Sequence, residues 1–147
     1  MKKRSIILVL PAIILITVSF KNIKQQGGEP WRQDQLIQPF VLAAIINDPS
    51  AHQPIIYNIG FGGGIKNSIT EGPMKDSVNL LKWRKELEKL PRDTDIIIYC
   101  GCCPFEHCPN IRPAFTLLNE MGFKNQKLLN LSHNLKADWI DQNYPVQ

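Results

Sequence analysis

Residues 96–115 read IIIYCGCCPFEHCPNIRPAF, a stretch that joins a short apolar run to the first turns of an amphipathic segment through a cysteine-rich loop. The wholly apolar run at 96–99 is typical of a strand buried on both faces of a sheet. Helical spacing then places five apolar residues on one face of a helix that Gly122 is expected to end: Ile111, Ala114, Phe115, Leu118 and Met121. Strand, loop and helix in this order indicate one unit of an α/β protein.

The same alternation of apolar strands and amphipathic helices extends to both sides of this unit. IIYNI at 55–59 and KLLNL at 127–131 are predicted strands, and residues 135–142 are a predicted short helix. Two longer helices are predicted, one from Asp34 and one over Asp76–Leu90. The predicted apolar face of the first consists of Leu36, Ile37, Phe40, Val41, Ala44 and Ile45. That of the second consists of Val78, Leu81, the aliphatic stem of Arg84, Leu87 and Leu90. The pattern predicts an α/β domain with a mainly parallel central sheet and helices on both faces.

The N-terminus has the charge-then-apolar order of a secretory signal. Lys2, Lys3 and Arg4 precede an apolar run that extends to Val18 in this 147-residue chain. Residues 1–20 are therefore predicted to be a signal peptide or an N-terminal membrane anchor through residues 6–20, and 21–30 a polar linker. The chain is expected to be exported, and to be periplasmic or anchored so that it faces the periplasm.

Length and charge point to one globular domain with a core of its own. With 44% hydrophobic and 20% charged residues, the chain is long enough to bury one core, which is predicted over residues 31–147. Trp31, Trp83 and Trp139 are expected to pack in that core. The net charge of +4 includes the three charges at positions 2–4, so the predicted mature domain is nearly neutral and no nucleic-acid partner is expected.

Cys100 occupies the position at which α/β proteins build their sites, the carboxyl end of a strand that leads into a helix. Backbone N–H groups of such a loop and of the first helical turn favour an anion and lower the pKa of a thiol. Arg112, in the first turn of the following helix, is expected to add a positive charge on the same side. The sequence therefore predicts a reactive thiolate at Cys100.

Several motifs in this order resemble the rhodanese-like (sulfurtransferase) domain over residues 31–146. They are IIIYC with its loop and helix, LLNEMGFKNQKLLNL and WIDQNYPV, with IIYNIG in the place of the family's LIDVR and GGIKNSI in that of its GHIPGAI. The resemblance implies that Cys100 is the catalytic cysteine and carries a persulfide. It implies a small-molecule sulfur donor such as thiosulfate, a thiol or cyanide as acceptor, and neither a cofactor nor a metal.

The chain also departs from the family's pattern. Nine residues separate Cys100 from Asn110, which makes the loop longer than is usual in the family. Asn58 and Gly60 stand where the family has an Asp and an Arg, so a supporting hydrogen bond and a charge are expected to be missing. A module that keeps the fold without catalysis, using the cysteines for redox chemistry or metal binding, is therefore the alternative interpretation.

The remaining cysteines, Cys102, Cys103 and Cys108, are candidate resolving thiols, disulfide partners or metal ligands. Export favours disulfides, for example a permanent bond between Cys102 and Cys108. For a reversible bond to Cys100, Cys103 is the predicted partner because a C-x-x-C spacing closes a small ring. Cys102 is expected to lie too close along the chain to face Cys100 if the segment stays extended, whereas a sharp loop would allow the two to meet.

Overall fold

A computed structural model describes residues 28–147, so the predicted signal segment and most of the linker lie outside the described residues. This part of the chain has five strands and three α-helices, in the order β1 (Leu36–Ile37), α1 (Pro39–Asn47), β2 (Ile55–Asn58), β3 (Ser68–Thr70), α2 (Ser77–Leu87), β4 (Ile96–Tyr99), α3 (Ile111–Glu120) and β5 (Gln126–Leu129). Short 3₁₀ turns lie at Gln33–Gln35 and Phe105–His107, and a π-helical turn at Lys136–Ile140. No helix among residues 28–147 has the length and apolar character needed to cross a membrane.

The strands form one parallel sheet in the order β1-β5-β4-β2-β3. β4 therefore lies in the middle, paired with β2 on one side and with β5 on the other. This confirms the predicted α/β class with a parallel sheet. Because all strands run the same way, their carboxyl ends share one edge, and Cys100 follows β4 at that edge.

Helices cover both faces of the sheet, as β4 itself shows. Ile96 and Ile98 point into the core layer under α2 and α3, together with Trp83 and Phe115. Ile97 and Tyr99 point into the opposite layer, which is built by Leu42 and Ile46 of α1 together with Trp139. A strand buried on both faces needs an unbroken apolar sequence, which explains why IIIY does not alternate with polar residues. Cys100 continues the first of these two series.

The predicted first helix was wrong in its start and in its face. Leu36 and Ile37 form β1, whose residues pair with Leu128 and Leu129 of β5. The helix begins at Pro39, because the residue before a proline is driven into an extended conformation and Gln38 adopts φ −75°, ψ 146°. The buried side of α1 is then Leu42, Ala43 and Ile46, whereas Phe40 and Val41 are exposed.

The second predicted helix exists, but its buried face is rotated from the predicted one. Val78 and Leu81 are exposed, while Trp83 and Leu87 are fully buried. Trp83 packs edge-on against Tyr57 of β2, with ring centroids 5.4 Å apart. An indole contributes more buried apolar area than a valine, so the tryptophan decides which side of the helix faces the sheet.

The elements around the cysteine loop agree with the sequence analysis. β4 occupies 96–99, and α3 ends before Gly122, whose φ of +78° is the left-handed conformation of a helix terminus. Trp31, Trp83 and Trp139 are all buried. The strand β3 was not predicted, because its three residues include only one apolar side chain, Ile69.

Candidate functional site

Cys100 lies at the carboxyl end of β4, beside the residues that follow β2. Its side chain is only 1% exposed. Gly60 stands so close that a Cβ on it would lie 2.5 Å from the Cys100 sulfur. Any larger residue at position 60 would collide with the thiol, so a glycine is needed here for space. The Gly60 that departs from the resembled family's arginine therefore makes room for the Cys100 side chain.

The loop after Cys100 is fixed by backbone contacts to the segment that follows β5. The Leu135 N–H donates to the carbonyl of Gly101 (3.0 Å), and the Phe105 N–H donates to that of Leu131 (3.0 Å). The Leu135 side chain lies over Gly101, where an added Cβ would be 2.9 Å from it. The ring of Phe105 packs edge-on against Trp31. These contacts close the long loop onto the domain.

Three of the cysteine sulfurs converge in this loop. The Sγ atoms of Cys100, Cys102 and Cys108 lie within 4.8 Å of one another. The sulfurs of Cys100 and Cys102 are 3.4 Å apart, so the segment does not stay extended and the bent alternative is the one that the structure shows. A bend over residues 101–103 brings the two side chains together. Cys108 is buried like Cys100, whereas Cys102 is exposed.

Cys103 stands outside this group. Its sulfur lies 3.3 Å from that of Cys102 and is not among the three sulfurs that converge. The C-x-x-C spacing thus does not make it the nearest partner of Cys100. All four cysteines lie within the described residues, and all are free thiols in the structure.

Asn110 is the polar side chain that reaches the Cys100 sulfur. It is 3% exposed, and its Nδ2 lies 3.5 Å from Cys100 Sγ as a donor. The other end of the amide is fixed, because Oδ1 accepts a hydrogen bond of 3.0 Å from the Lys75 N–H. That bond orients the amide so that its N–H faces the sulfur. Asn110 precedes α3 but makes no side-chain cap of the helix, so its hydrogen bonds serve the loop instead.

The surroundings of Cys100 stabilise its thiolate. Hydrogen bonds from the Cys108 thiol, the Asn110 amide and the Cys102 backbone N–H and thiol lower the pKa of Cys100 to about 5, against the effect of burial. The same contacts work in the opposite direction on the donors. The pKa of Cys108 is raised by its hydrogen bond to Cys100 and by burial. Burial and its two cysteine neighbours raise the pKa of Cys102 to about 12. One thiolate is thus held by two thiols.

Arg112 is not brought to the Cys100 sulfur. Its guanidinium pairs with Glu29, donates to the carbonyl of Glu106 at 2.8 Å, and lies over the Trp31 ring. The side chain therefore ties the start of the domain to the outside of the cysteine loop. The charge expected from Arg112 is replaced at the sulfur by neutral donors.

Asn58, which stands where the resembled family has an aspartate, makes hydrogen bonds of its own. It is buried, and its Oδ1 accepts from the Gly60 N–H at 3.1 Å, while its Nδ2 donates to Thr70 at 3.4 Å. A neutral amide is suited to this place, because no cation is bonded to it and a buried unpaired carboxylate is costly. It fixes the turn that holds Gly60 against Cys100.

The sequence analysis missed Asn110 and the spatial role of Gly60. An asparagine just before a helix is a common cap, so its pattern indicated a terminus rather than a contact to sulfur. The signal that would have found it is its place at the end of the cysteine loop, where helix-start donors face the strand end.

Comparisons with known proteins add no relative: no protein-family model matches this chain, and no curated protein does. The geometry of the site is accordingly the basis for its function.

Proposed function

We propose that this chain is an exported sulfurtransferase with a rhodanese-like fold, in which Cys100 carries sulfur as a persulfide. The observation that carries the proposal is a buried cysteine at the carboxyl end of the central strand, whose sulfur faces the Asn110 amide and two thiols. A cysteine needs this environment to act as a nucleophile at neutral pH, since the thiolate is the attacking species.

The reaction takes two steps. The Cys100 thiolate attacks the outer sulfur of thiosulfate, an S–S bond forms, and the donor's S–S bond breaks to release sulfite. The acceptor thiolate or cyanide then attacks the outer sulfur of the persulfide, and Cys100 leaves as a thiolate. The lowered pKa of Cys100 helps this second step, because a thiolate of low pKa is a good leaving group.

Access to the buried sulfur sets a requirement on the loop. Cys100 is 1% exposed, so a donor reaches its sulfur only when some of the residues packed around it move. Once the persulfide has formed, the outer sulfur bears the negative charge. The Asn110 amide and the N–H of Cys102 are the donors positioned to stabilise that charge.

Export is the second part of the proposal. The positive residues at 2–4 and the apolar run after them support a signal or anchor that places the domain in the periplasm. The partners are then small molecules of that compartment, a sulfane-sulfur donor and a thiol acceptor.

Intact-mass analysis after thiosulfate treatment tests the reaction. The reduced chain should gain one sulfur atom, cyanide should remove it, and Cys100→Ser should abolish the gain. Cys103→Ser is the matched control, because it removes a loop cysteine outside the converging group, and it should gain sulfur like the wild type. If the wild type gains no sulfur on any cysteine, the non-catalytic alternative is favoured. If Cys100→Ser still gains sulfur, the assignment of the nucleophile is wrong.

A further inference from the structure

The convergence of three sulfurs is more than a persulfide needs. Sulfur transfer uses one nucleophile, yet Cys100, Cys102 and Cys108 place their sulfurs within 4.8 Å of one another. All three are free thiols in the structure. Such a group could supply three sulfur ligands to one soft metal ion.

The spacing of the sulfurs fits a bound metal ion. A metal–sulfur bond of about 2.3 Å in trigonal geometry separates its sulfurs by about 4.0 Å. The pair Cys100 and Cys102, at 3.4 Å, is slightly closer than this, and the 4.8 Å limit of the group is slightly wider. Shifts of less than about 1 Å in the sulfur positions would therefore let all three sulfurs bind one ion.

The number and kind of ligands select the metal. Thiolates prefer soft ions, of which monovalent copper and zinc are the common ones. Structural zinc takes four ligands in a tetrahedron. Among residues 28–147, the converging set contains three sulfurs and neither a histidine nor a carboxylate. His107 is exposed, and the Cys103 sulfur, 3.3 Å from that of Cys102, is not among the three sulfurs that converge. Three sulfur ligands, two of them from the buried residues Cys100 and Cys108, suit three-coordinate copper.

We propose that Cys100, Cys102 and Cys108 form a three-coordinate thiolate site for monovalent copper. Binding transfers no electron: each sulfur forms a bond to the ion, and the thiols that carry a proton release it to solvent. Cys103 is not a ligand. Since Cys100 is both a ligand and the proposed nucleophile, copper and sulfane sulfur exclude each other at this loop. The copper site itself does not depend on sulfur transfer.

The test is an anaerobic titration of the full reduced chain with monovalent copper against a chromophoric copper chelator. One copper should bind per chain, and X-ray absorption should show three sulfur neighbours. Cys100→Ser, Cys102→Ser and Cys108→Ser should each weaken the affinity at least about tenfold, because each removes one of three ligands. The matched control Cys103→Ser should keep the wild-type affinity and stoichiometry. Near-ultraviolet circular dichroism checks that each variant is folded. Cys108→Ala serves as a second variant because alanine leaves no unpaired hydroxyl in the core.

Specific outcomes would overturn the copper site. The site is refuted if Cys103→Ser loses copper affinity as the other three variants do, if several coppers bind per chain, or if X-ray absorption shows four sulfur neighbours around the copper. The titration contains no sulfur donor, so its result is independent of persulfide formation. A chain that binds copper but gains no sulfur refutes only the sulfurtransferase proposal, and the reverse result refutes only the copper site.

Discussion

Asn110 should set the pH at which Cys100 becomes reactive. Asn110→Ala removes the N–H that faces the sulfur at 3.5 Å in a buried setting. A hydrogen bond to a charged group contributes about 1.5–3 kcal/mol. The contact is long, so we take the lower end of that range, which corresponds to about one pKa unit. The pKa of Cys100 should therefore rise from about 5 to about 6 in the variant.

The consequence is largest between these two values. At pH 5.5 the thiolate fraction falls from about 0.76 to about 0.24, a roughly threefold loss in the rate of alkylation. Near pH 8 both proteins are fully ionised at Cys100 and the rates should agree. The assay is the pH dependence of iodoacetamide labelling of Cys100, read by peptide mass mapping between pH 4 and pH 8.

Two further variants separate the charge effect from a change in the loop. Asn79 anchors the same segment near Lys75 through the Pro73 carbonyl at 3.1 Å, so Asn79→Ala loosens the segment without removing the donor to sulfur. It should leave the labelling midpoint unchanged. Asn110→Asp keeps an acceptor for the Lys75 N–H but places a carboxylate at the sulfur, and should raise the pKa further than Asn110→Ala does. An identical midpoint in wild type and Asn110→Ala would refute the reasoning.

Three other outcomes are expected. The pKa of Cys100 is lower in the folded chain than its ordinary 9.0, so its contribution to stability is present above pH 9 and is lost as the pH falls through about 5. In urea titrations, the unfolding free energy of the wild type minus that of Cys100→Ser should therefore increase as the pH rises from about 5 to about 9. A difference that does not change with pH would contradict the lowered pKa. Gly60→Ala places a Cβ against the Cys100 sulfur and should cost about 1–3 kcal/mol in the same titrations and slow persulfide formation. Gly63→Ala should change little, because its Cβ would come no closer than 3.3 Å to a neighbour, the end of the Gln147 side chain; equal effects would show that space at position 60 is not limiting. Arg112→Ala should leave the labelling midpoint of Cys100 unchanged, and it should lower stability by at most about 1 kcal/mol because the ion pair with Glu29 is half exposed. A shifted midpoint would show that Arg112 acts on the Cys100 thiol.

The positions of the helices were read correctly from the sequence more often than their orientations. An apolar run, a proline and a glycine are local signals, and they located β4, the end of α3 and the strand-end position of Cys100. Which face of a helix is buried depends on its partners, and Trp83 against Tyr57 decided the face of α2. Pro39 is also a local signal, since a proline keeps the residue before it extended. The apolar spacing nevertheless predicted a helix that starts before Gln38, and this was wrong.

The sequence by itself determined a parallel α/β domain with its cysteines gathered after a central strand, because periodicity and chain order encode those features. Only the tertiary structure decided which thiols meet and what faces the Cys100 sulfur. Cys102 and Cys108 converge on Cys100 through the path of the loop, which spacing along the chain does not reveal. The Asn110 amide is oriented by a backbone group 35 residues earlier, at Lys75. Contacts between residues so far apart in the chain arise when the loops that follow β3 and β4 are brought to one edge of the sheet, and no local pattern records them.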